Sequence, residues 1–483
     1  MSVGQASRVR IRAIRDLPGP AGLPLLGNAL QVRPERVHQT AEQWAREYGE
    51  VFRFRIASRE FVVISDPDMV AAVLRDRPDG FQRTNRLSAT ARELGFTGVF
   101  SSNGEAWRRQ RPMVLAGLDP SHIKAFFPTL VKVTQRFARR WQRAAAAGIA
   151  IELQADLMRY TVDVTAGLAF GTDINTLESE EQVIQSHLEK IFPAFARRLF
   201  AAVPYWHYFK LPSDRELDRH LDALRIAVNG FIAQARQRLD DQPELREHPA
   251  NLIEAMVNAR DSEGSAITDE DVSGNVLTML LAGEDTTANS LAWMIWLLHQ
   301  NPDAARRAVD EARFVLGGDS TPTRYEQLGK LDFLEACAHE TMRIKPVAPI
   351  NTVQAVRDTF IGDVELPAGT LVMCLMRPAA VDGRHFPAPQ DFLPERWLAG
   401  NGPTHASRSA KRIAMPFGAG PRICPGRYLA LAEMKMVAAM LLGAFDIESV
   451  TSPDRGEARE RLTLTMSPVG LQMRLNSRDL AAA

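Results

Sequence analysis

"FGAGPRICPG", Phe417–Gly426, holds one of the three cysteines of the chain, Cys424, two residues after Arg422 and just before a Pro-Gly pair. The other two, Cys337 and Cys374, have no such neighbours. Gly418, Gly420 and Gly426 let a backbone turn tightly around a bulky group. The run that follows, "PGRYLALAEMKMVAAMLLGAF", puts Leu429, Ala432, Val437, Met440 and Leu441 on one helical stripe. A helix is therefore expected just beyond the cysteine. A thiol at a helix N-terminus faces backbone N–H groups and the positive end of the dipole, and both favour the thiolate. Arg422 has the fork geometry to bind a carboxylate bidentately. On these residues alone Cys424 is a packed thiol, a nucleophile or a metal ligand.

The bulk of the chain narrows the classes. Its 483 residues are 45% hydrophobic and 24% charged, ordinary for a globular protein with a large core. Lys plus Arg and Asp plus Glu both number 58, so no net charge draws the chain to nucleic acid or an anionic membrane. Three scattered cysteines make no disulfide framework and suit a reducing compartment. No stretch of eighteen uninterrupted apolar residues occurs, and "MSVGQASRVRIRAIRD" lacks a signal-peptide core. A cytoplasmic protein without a transmembrane anchor is the expectation.

Residues 1–16 are expected as a basic, flexible tail, and 17–483 as one domain. "LPGPAGLPLLGN" (Leu17 to Asn28) reads as a rigid lead-in. "EVFRFRIASREFVVIS" alternates Phe52, Phe54 and Ile56 against Arg53 and Arg55 and predicts a β-hairpin. From about Pro120 to Asn301 the pattern is helical. Strands are expected again at "TLVMCL" and "RLTLTMSPVGLQMRL", with a turn at Pro468 and Gly470. The fold class is thus mainly α with a small β region where the two chain ends meet. Asp382 to Arg412 has too much proline and glycine for helix, and Phe192 to Pro212 is rich in aromatics and reads as a mobile lid or as a segment that dips into a membrane surface.

One cysteine with no histidine or cysteine nearby is not a zinc site. One thiolate does suffice for haem iron, whose porphyrin fills the equatorial positions. Five fixed positions, F-x-x-G-x-R-x-C-x-G, recur by chance in well under roughly one in a thousand such chains at about 5% residue usage. "FGAGPRICPG" resembles the haem-binding loop of the cytochrome P450 superfamily. The resemblance implies that the haem lies between a long distal helix and the Cys-loop helix. Cys424 is then the axial ligand, Phe417 packs beside it, Arg422 pairs with a propionate, and Gly426 adjoins the cofactor.

Other segments fit in the family's order. "ITDEDVSGNVLTMLLAGEDTTANSLAWMIWLL" predicts a long helix opened by a Thr268–Asp271 capping box. The Thr286 hydroxyl can bond the Ala282 carbonyl four residues back and bend the helix. Ala282 to Thr287 match the family's A-G-x-[D/E]-T-T. That match implies Ala282 against the haem, with Asp285 the acid and Thr286 the alcohol of a proton-delivery pair. "ETMR" and "FLPERW" imply a structural triad of Glu340, Arg343 and Arg396. "WRRQR" sets Trp107 and Arg111 on one helix face, and by resemblance both hold a propionate. Arg357 is a further candidate for that role.

The implied activity is monooxygenation of a hydrophobic small molecule (fatty acid, terpenoid or macrocycle) with haem b and O2. Electrons come ultimately from NAD(P)H, through a separate ferredoxin or flavodoxin-type donor and its reductase. Arg108, Arg109, Lys411, Arg412, Arg427 and Lys435 are expected to form a basic docking patch. Candidate pocket residues are Leu94, Phe96, Val99, Phe100, Leu277, Leu281, Val347, Ala348, Ile350 and Val469. Arg59 reads as a solvated hairpin charge, or as a partner for a substrate carboxylate. The rival activity is a peroxide-driven peroxygenase, which needs no acid–alcohol pair; a haem sensor or a haem-thiolate isomerase fits the residues less well.

Overall fold

The computed structural model describes residues 11–179, 183–201, 203–398 and 406–478. Its helices are α1 (Val37–Tyr48), α2 (Pro67–Arg75), α3 (Asn85–Glu93), α4 (Gly104–Ala116), α5 (Pro120–Ala146), α6 (Leu153–Phe170), α7 (Val183–Phe200) and α8 (Pro212–Asp241). They continue with α9 (Leu252–Asp261), α10 (Asp269–Gln300), α11 (Pro302–Leu316), α12 (Tyr325–Leu328), α13 (Asp332–Ile344), α14 (Arg377–Ala380), α15 (Ala406–Ala414) and α16 (Arg427–Ala444). The strands are β1 (Val51–Ile56), β2 (Arg59–Ile64), β3 (Phe81–Arg83), β4 (Ile151–Glu152), β5 (Ile350–Ala355) and β6 (Thr359–Ile361). The remainder are β7 (Val364–Leu366), β8 (Leu371–Leu375), β9 (Phe445–Thr451), β10 (Glu460–Leu462), β11 (Met466–Pro468) and β12 (Gln472–Ser477).

α10 is the spine. Its Thr268 cap accepts from Asp271 N–H while the Asp271 carboxylate accepts from Thr268 N–H, the expected capping box. Nearly every later side chain of α10 is buried, as for a helix that crosses a core. α6 packs along it. Gly283 permits this: a Cβ there would lie 2.3 Å from Thr165 Oγ1 on α6. Thr161 Oγ1 reaches across to Glu284 C=O at 2.9 Å. α16 is also apolar almost all round and packs on α10, α11 and α13.

The expected hairpin forms, with Phe54 paired to Phe61 and their rings stacked. It joins a five-stranded sheet in the order β1-β2-β8-β5-β3, with β2 and β8 parallel. The final strands do not pair with one another. β10 pairs with β11, whereas β12 pairs with β9 and β4. Pro468 to Gly470 therefore turn the chain from one sheet to another, and the sequence pattern of two neighbouring strands hid this. The N-terminal hairpin meets β8 and not the last strands.

Residues 1–10 of the expected tail lie outside the described residues, and Arg12 pairs with Asp363 at 2.7 Å. The absence of helix expected over 382–412 is corrected by α15, whose Ala-, Ser- and Lys-containing stretch follows the last proline. Among the described residues no helix is long and apolar enough to cross a membrane.

Candidate functional site

The cysteine loop closes on its own backbone, with Cys424 N–H donating to Phe417 C=O at 2.9 Å. Gly420 takes φ +72°, and a Cβ there would lie 2.4 Å from Leu74 C=O, so the turn is pressed onto α2. Gly426 has open space where a Cβ would stand. Cys337 and Cys374 are fully buried, and burial pushes Cys374 up to about 12. Cys424 is only half-buried. Desolvation by its surroundings raises its thiol, while Gly426 N–H, Arg111 and Arg427 each favour the thiolate.

α4 carries Trp107 and Arg111 one turn apart, both buried. The Trp107 ring has the Arg422 guanidinium 4.6 Å and the Arg111 guanidinium 6.0 Å from its centroid. Arg111 donates to Ile423 C=O, and Arg422 to Ser102 C=O at 2.7 Å. Two further arginines join them. Arg83, ending β3, donates to Phe100 C=O at 3.0 Å and lies 4.5 Å from the Phe100 ring centroid. Arg77, just after α2, is 3% exposed.

Among the described residues none of these four guanidinia pairs with a carboxylate. Arg77 Nε and Nη2, Arg111 Nε and Arg422 Nε are buried without partners. Burial pushes Arg77 down to about 10. Burial, then Arg77 and Arg111, push Arg422 down to about 9. Arg83 is lowered by burial, then by Arg77 and Arg422, and Arg111 by burial. Four desolvated cations that repel one another call for an anion of more than one charge. The sequence reading missed Arg77 and Arg83, because neither belongs to a spaced motif. Arg357 is exposed, bonded to Asp79 C=O at 3.0 Å and 3.4 Å from Asp76. It stands apart from the cluster.

On α10, Leu281, Ala282, Gly283 and Thr286 stay accessible within an otherwise buried stretch. Thr286 Oγ1 donates to Ala282 C=O at 2.9 Å, as expected, and the helix runs on unbroken. Asp285 lies on another side of the helix and is buried. Its carboxylate accepts from Asn289 Nδ2 at 2.7 Å and from Thr465 Oγ1. Burial raises its pKa, against Thr465, Asn289 and Arg461. The structure brings neither Thr465 nor Asn289 to notice through any motif; proximity alone finds them.

Glu340 and Arg343 on α13 are both fully buried and joined by two hydrogen bonds of 2.8 and 2.7 Å. Arg396 donates to Glu340 at 3.2 Å, and Trp397 Nε1 at 2.8 Å. Arg343 also donates to the carbonyls of Ala380, Pro389 and Asp391. The three triad residues named from sequence are thus assembled, with Trp397 as a fourth member.

The expected basic patch is largely cancelled from within. Lys435 is buried, donating to Leu328 C=O and to Glu335, so it is no docking residue. Its place amid the apolar run Met434–Leu442 was the signal for burial. Arg109 is held by Asp271, Arg108 by Glu105 and Asp79, and Arg412 by Asp68. Among the described residues Lys411 and Arg427 have no carboxylate partner.

Of the pocket candidates, Leu94, Phe96, Val99 and Leu277 are packed into the core. Phe100, Leu281, Val347, Ile350 and Val469 are half-buried, and Ala348 is exposed. Arg59 lines a separate cavity of about 340 Å³ on the hairpin side, with Glu60 and Gln354. A polar cavity of about 620 Å³ opens between α3, α4 and the start of α10.

The cysteine loop, the guanidinium cluster and the opened stretch of α10 define a helical protein built around an interior anionic cofactor. The chain belongs to the cytochrome P450 family, whose model matches residues 17–474, and is a monooxygenase. Cytochrome P450 27C1 of Aquarana catesbeiana is 29% identical over 461 residues, which cover 92% of this chain and 83% of that relative. The self-sufficient cytochrome P450 monooxygenase CYP505E5 of Aspergillus niger is 25% identical over 473 residues, 95% of this chain and 43% of that protein. The crystal structure of the cytochrome P450DA haem domain has the same fold, with a TM-score of 0.83 at 24% identity. The match covers 98% of this chain and 99% of that one. The family brings haem and dioxygen and takes electrons from a redox partner. The residues present fit that group, since the partnerless guanidinium nitrogens beside Trp107 are what two propionates would satisfy.

Proposed function

We propose that this chain holds haem b through Cys424 and uses it to oxygenate a hydrophobic small molecule of the fatty acid, terpenoid or macrocycle class. The observation that carries this reading is the cluster of Arg77, Arg83, Arg111 and Arg422, none paired with a carboxylate among the described residues, beside the half-buried Cys424. When bound, the haem supplies the site where dioxygen is activated with two electrons from a donor.

The protein's own residues do the rest. Cys424 gives the thiolate, and Arg111, Arg427 and the Gly426 N–H lower the cost of its charge. Arg422, Arg111, Arg83 and Arg77 hold the propionates around Trp107, Phe417 packs beside the thiolate, and Gly426 leaves room on that side. Ala282 keeps the distal wall low. Thr286 offers a hydroxyl in the accessible stretch of α10, and Asp285 is the carboxyl that supplies it with protons. The substrate rests on apolar surface from Phe100, Leu281, Val347, Ile350 and Val469. Glu340, Arg343 and Arg396 fix the segment leading to the cysteine loop. We assign the electron donor to a separate ferredoxin or flavodoxin-type protein. Three free thiols support a reducing, cytoplasmic setting.

The test is haem loading of the purified protein, followed by its Soret absorbance per chain. Arg83→Leu and Arg422→Leu each lower occupancy, whereas Arg357→Leu leaves it unchanged. Full occupancy in both cluster variants would remove the propionate assignment. A peroxide-driven reading is favoured by one observation: the Asp285 carboxylate is tied to Asn289 and Thr465, on another side of α10 from Thr286.

A further inference from the structure

Asp285 of α10 is held at both carboxylate oxygens. Asn289, one turn on, donates from Nδ2 to both Asp285 (2.7 Å) and Thr465 Oγ1 (3.2 Å), and accepts at Oδ1 from Gln154 of α6 at 3.0 Å. Thr465 in turn donates to the second carboxylate oxygen. Both carboxylate oxygens are thus occupied by Asn289 and Thr465, while the Thr286 hydroxyl is bonded to Ala282 C=O. Thr465 ends the turn between β10 and β11, and its neighbours are fixed on the substrate side. Met466 N–H donates to Val347 C=O at 2.8 Å, and Trp293 Nε1 to Met466 C=O at 3.4 Å. The strand before it is anchored by Glu460, which holds Arg377, Lys345 and His38. The hairpin is therefore a rigid arm that carries a hydroxyl to the buried acid and adjoins Val347 and Val469.

We infer that Thr465 is a positioning residue: its hydroxyl, with the Asn289 amide, latches the Asp285 carboxylate to the β10–β11 hairpin, so that this fixed hairpin sets the placement and the strength of the acid that serves Thr286. The inference rests on the reading of Asp285 as the proton-delivering acid. The latch bonds the charged form of a carboxylate that is otherwise desolvated, and Arg461 of β10 acts in the same sense. Glu433 of α16 is another buried acid and bonds Thr287 instead, and Glu284 beside Asp285 is buried as well.

The sign follows. Burial raises the Asp285 pKa, so its ionised form costs stability that is regained as pH falls through the folded value. Removing a donor to the carboxylate raises that value further. In the haem-loaded protein, the Asp285 carboxyl stretch is followed by infrared difference spectroscopy across pH, assigned with Asp285→Asn. Thr465→Val moves the titration up by about one to two pH units, the size of one lost hydrogen bond to a charged group. Thr465→Ser restores it. Without added substrate, and with a surrogate ferredoxin as donor, the share of electrons ending in hydrogen peroxide is measured over the same range. Its pH limb moves by the same amount in Thr465→Val.

An unmoved carboxyl band, an unmoved limb, or a serine variant that shifts as far as valine overturns the latch. If Asp285→Asn leaves the peroxide share and its limb intact, the acid role fails and the latch with it. If Asp285→Asn abolishes the limb while Thr465→Val moves nothing, the latch alone fails. Should Thr465→Val not fold, Asn289→Leu removes the other donor and carries the same expectation.

Discussion

At the scale of single residues, the distal wall turns on one hydroxyl. Thr286 Oγ1 spends its proton on the Ala282 carbonyl at 2.9 Å while remaining half-exposed in a buried helix. A hydroxyl held by its own helix, but open to the interior, can exchange that bond for one to a reacting group at little cost in burial. Thr286→Ala should lower reductant-driven product formation by about 100-fold, the lower end of what positioned proton transfer contributes. Peroxide-driven turnover by the same variant should be within about 3-fold of the parent, since it needs no proton delivery from α10. Rates measured side by side with reductant and with peroxide check this. Equal losses in both, or no loss in either, would remove Thr286 from proton delivery. Residue identity told this story only in part. Cys424, Arg111, Arg422 and Thr286 stand at fixed spacings and were legible. Arg77, Arg83, Asn289 and Thr465 are solitary polar residues whose meaning comes from what the fold sets beside them.

At the scale of elements, the stretch over residues 381–398 has only a short 3-10 turn and hangs on α13. Arg343 spends its donors on Glu340, on Ala380 C=O at the end of α14 and on the Pro389 and Asp391 carbonyls of that stretch, while Leu393 N–H, Arg396 and Trp397 converge on Glu340. A buried ion pair stabilises little in net terms, but breaking it strands a charge. Glu340→Gln leaves Arg343 without its counter-ion and should cost about 3–5 kcal/mol, with loss of haem, read from denaturant unfolding and Soret absorbance together. A variant within about 0.5 kcal/mol of the parent, the range of ordinary surface substitutions, would show that the triad is dispensable. α10 was legible because its helical pattern is long and its Thr268 cap explicit, whereas α15 was hidden by the prolines and glycines before it. The strands were legible singly, and as a pair in the β1–β2 hairpin, but their longer-range pairing was not. β2 finds β8, and β12 finds β9 and β4, across separations no local pattern records. A proline and a glycine between two strand-like runs look alike whether the strands pair or part.

At the scale of the whole molecule, the fold is a set of partitions around one interior site. α10 and α16 are buried along most of their length and pack on one another, and the middle of α10 opens at Leu281–Gly283 and Thr286 while Cys424 before α16 is half-buried. α4 closes the edge with Trp107 and Arg111, and β3 and the end of α2 add Arg83 and Arg77. The interior therefore carries excess positive charge that the protein does not neutralise, in a chain whose overall charge is zero. That separation of local from global charge is a stronger statement about a cofactor than composition can make. The measurement that tests it most directly is the absorbance difference spectrum of the dithionite-reduced protein with and without carbon monoxide, run beside Cys424→His. The parent should give the strongly red-shifted Soret band of thiolate-ligated haem, and the variant the band of histidine-ligated haem. A parent spectrum already at the histidine position, or no haem signal from a folded sample, would contradict the assignment of Cys424 as the iron ligand.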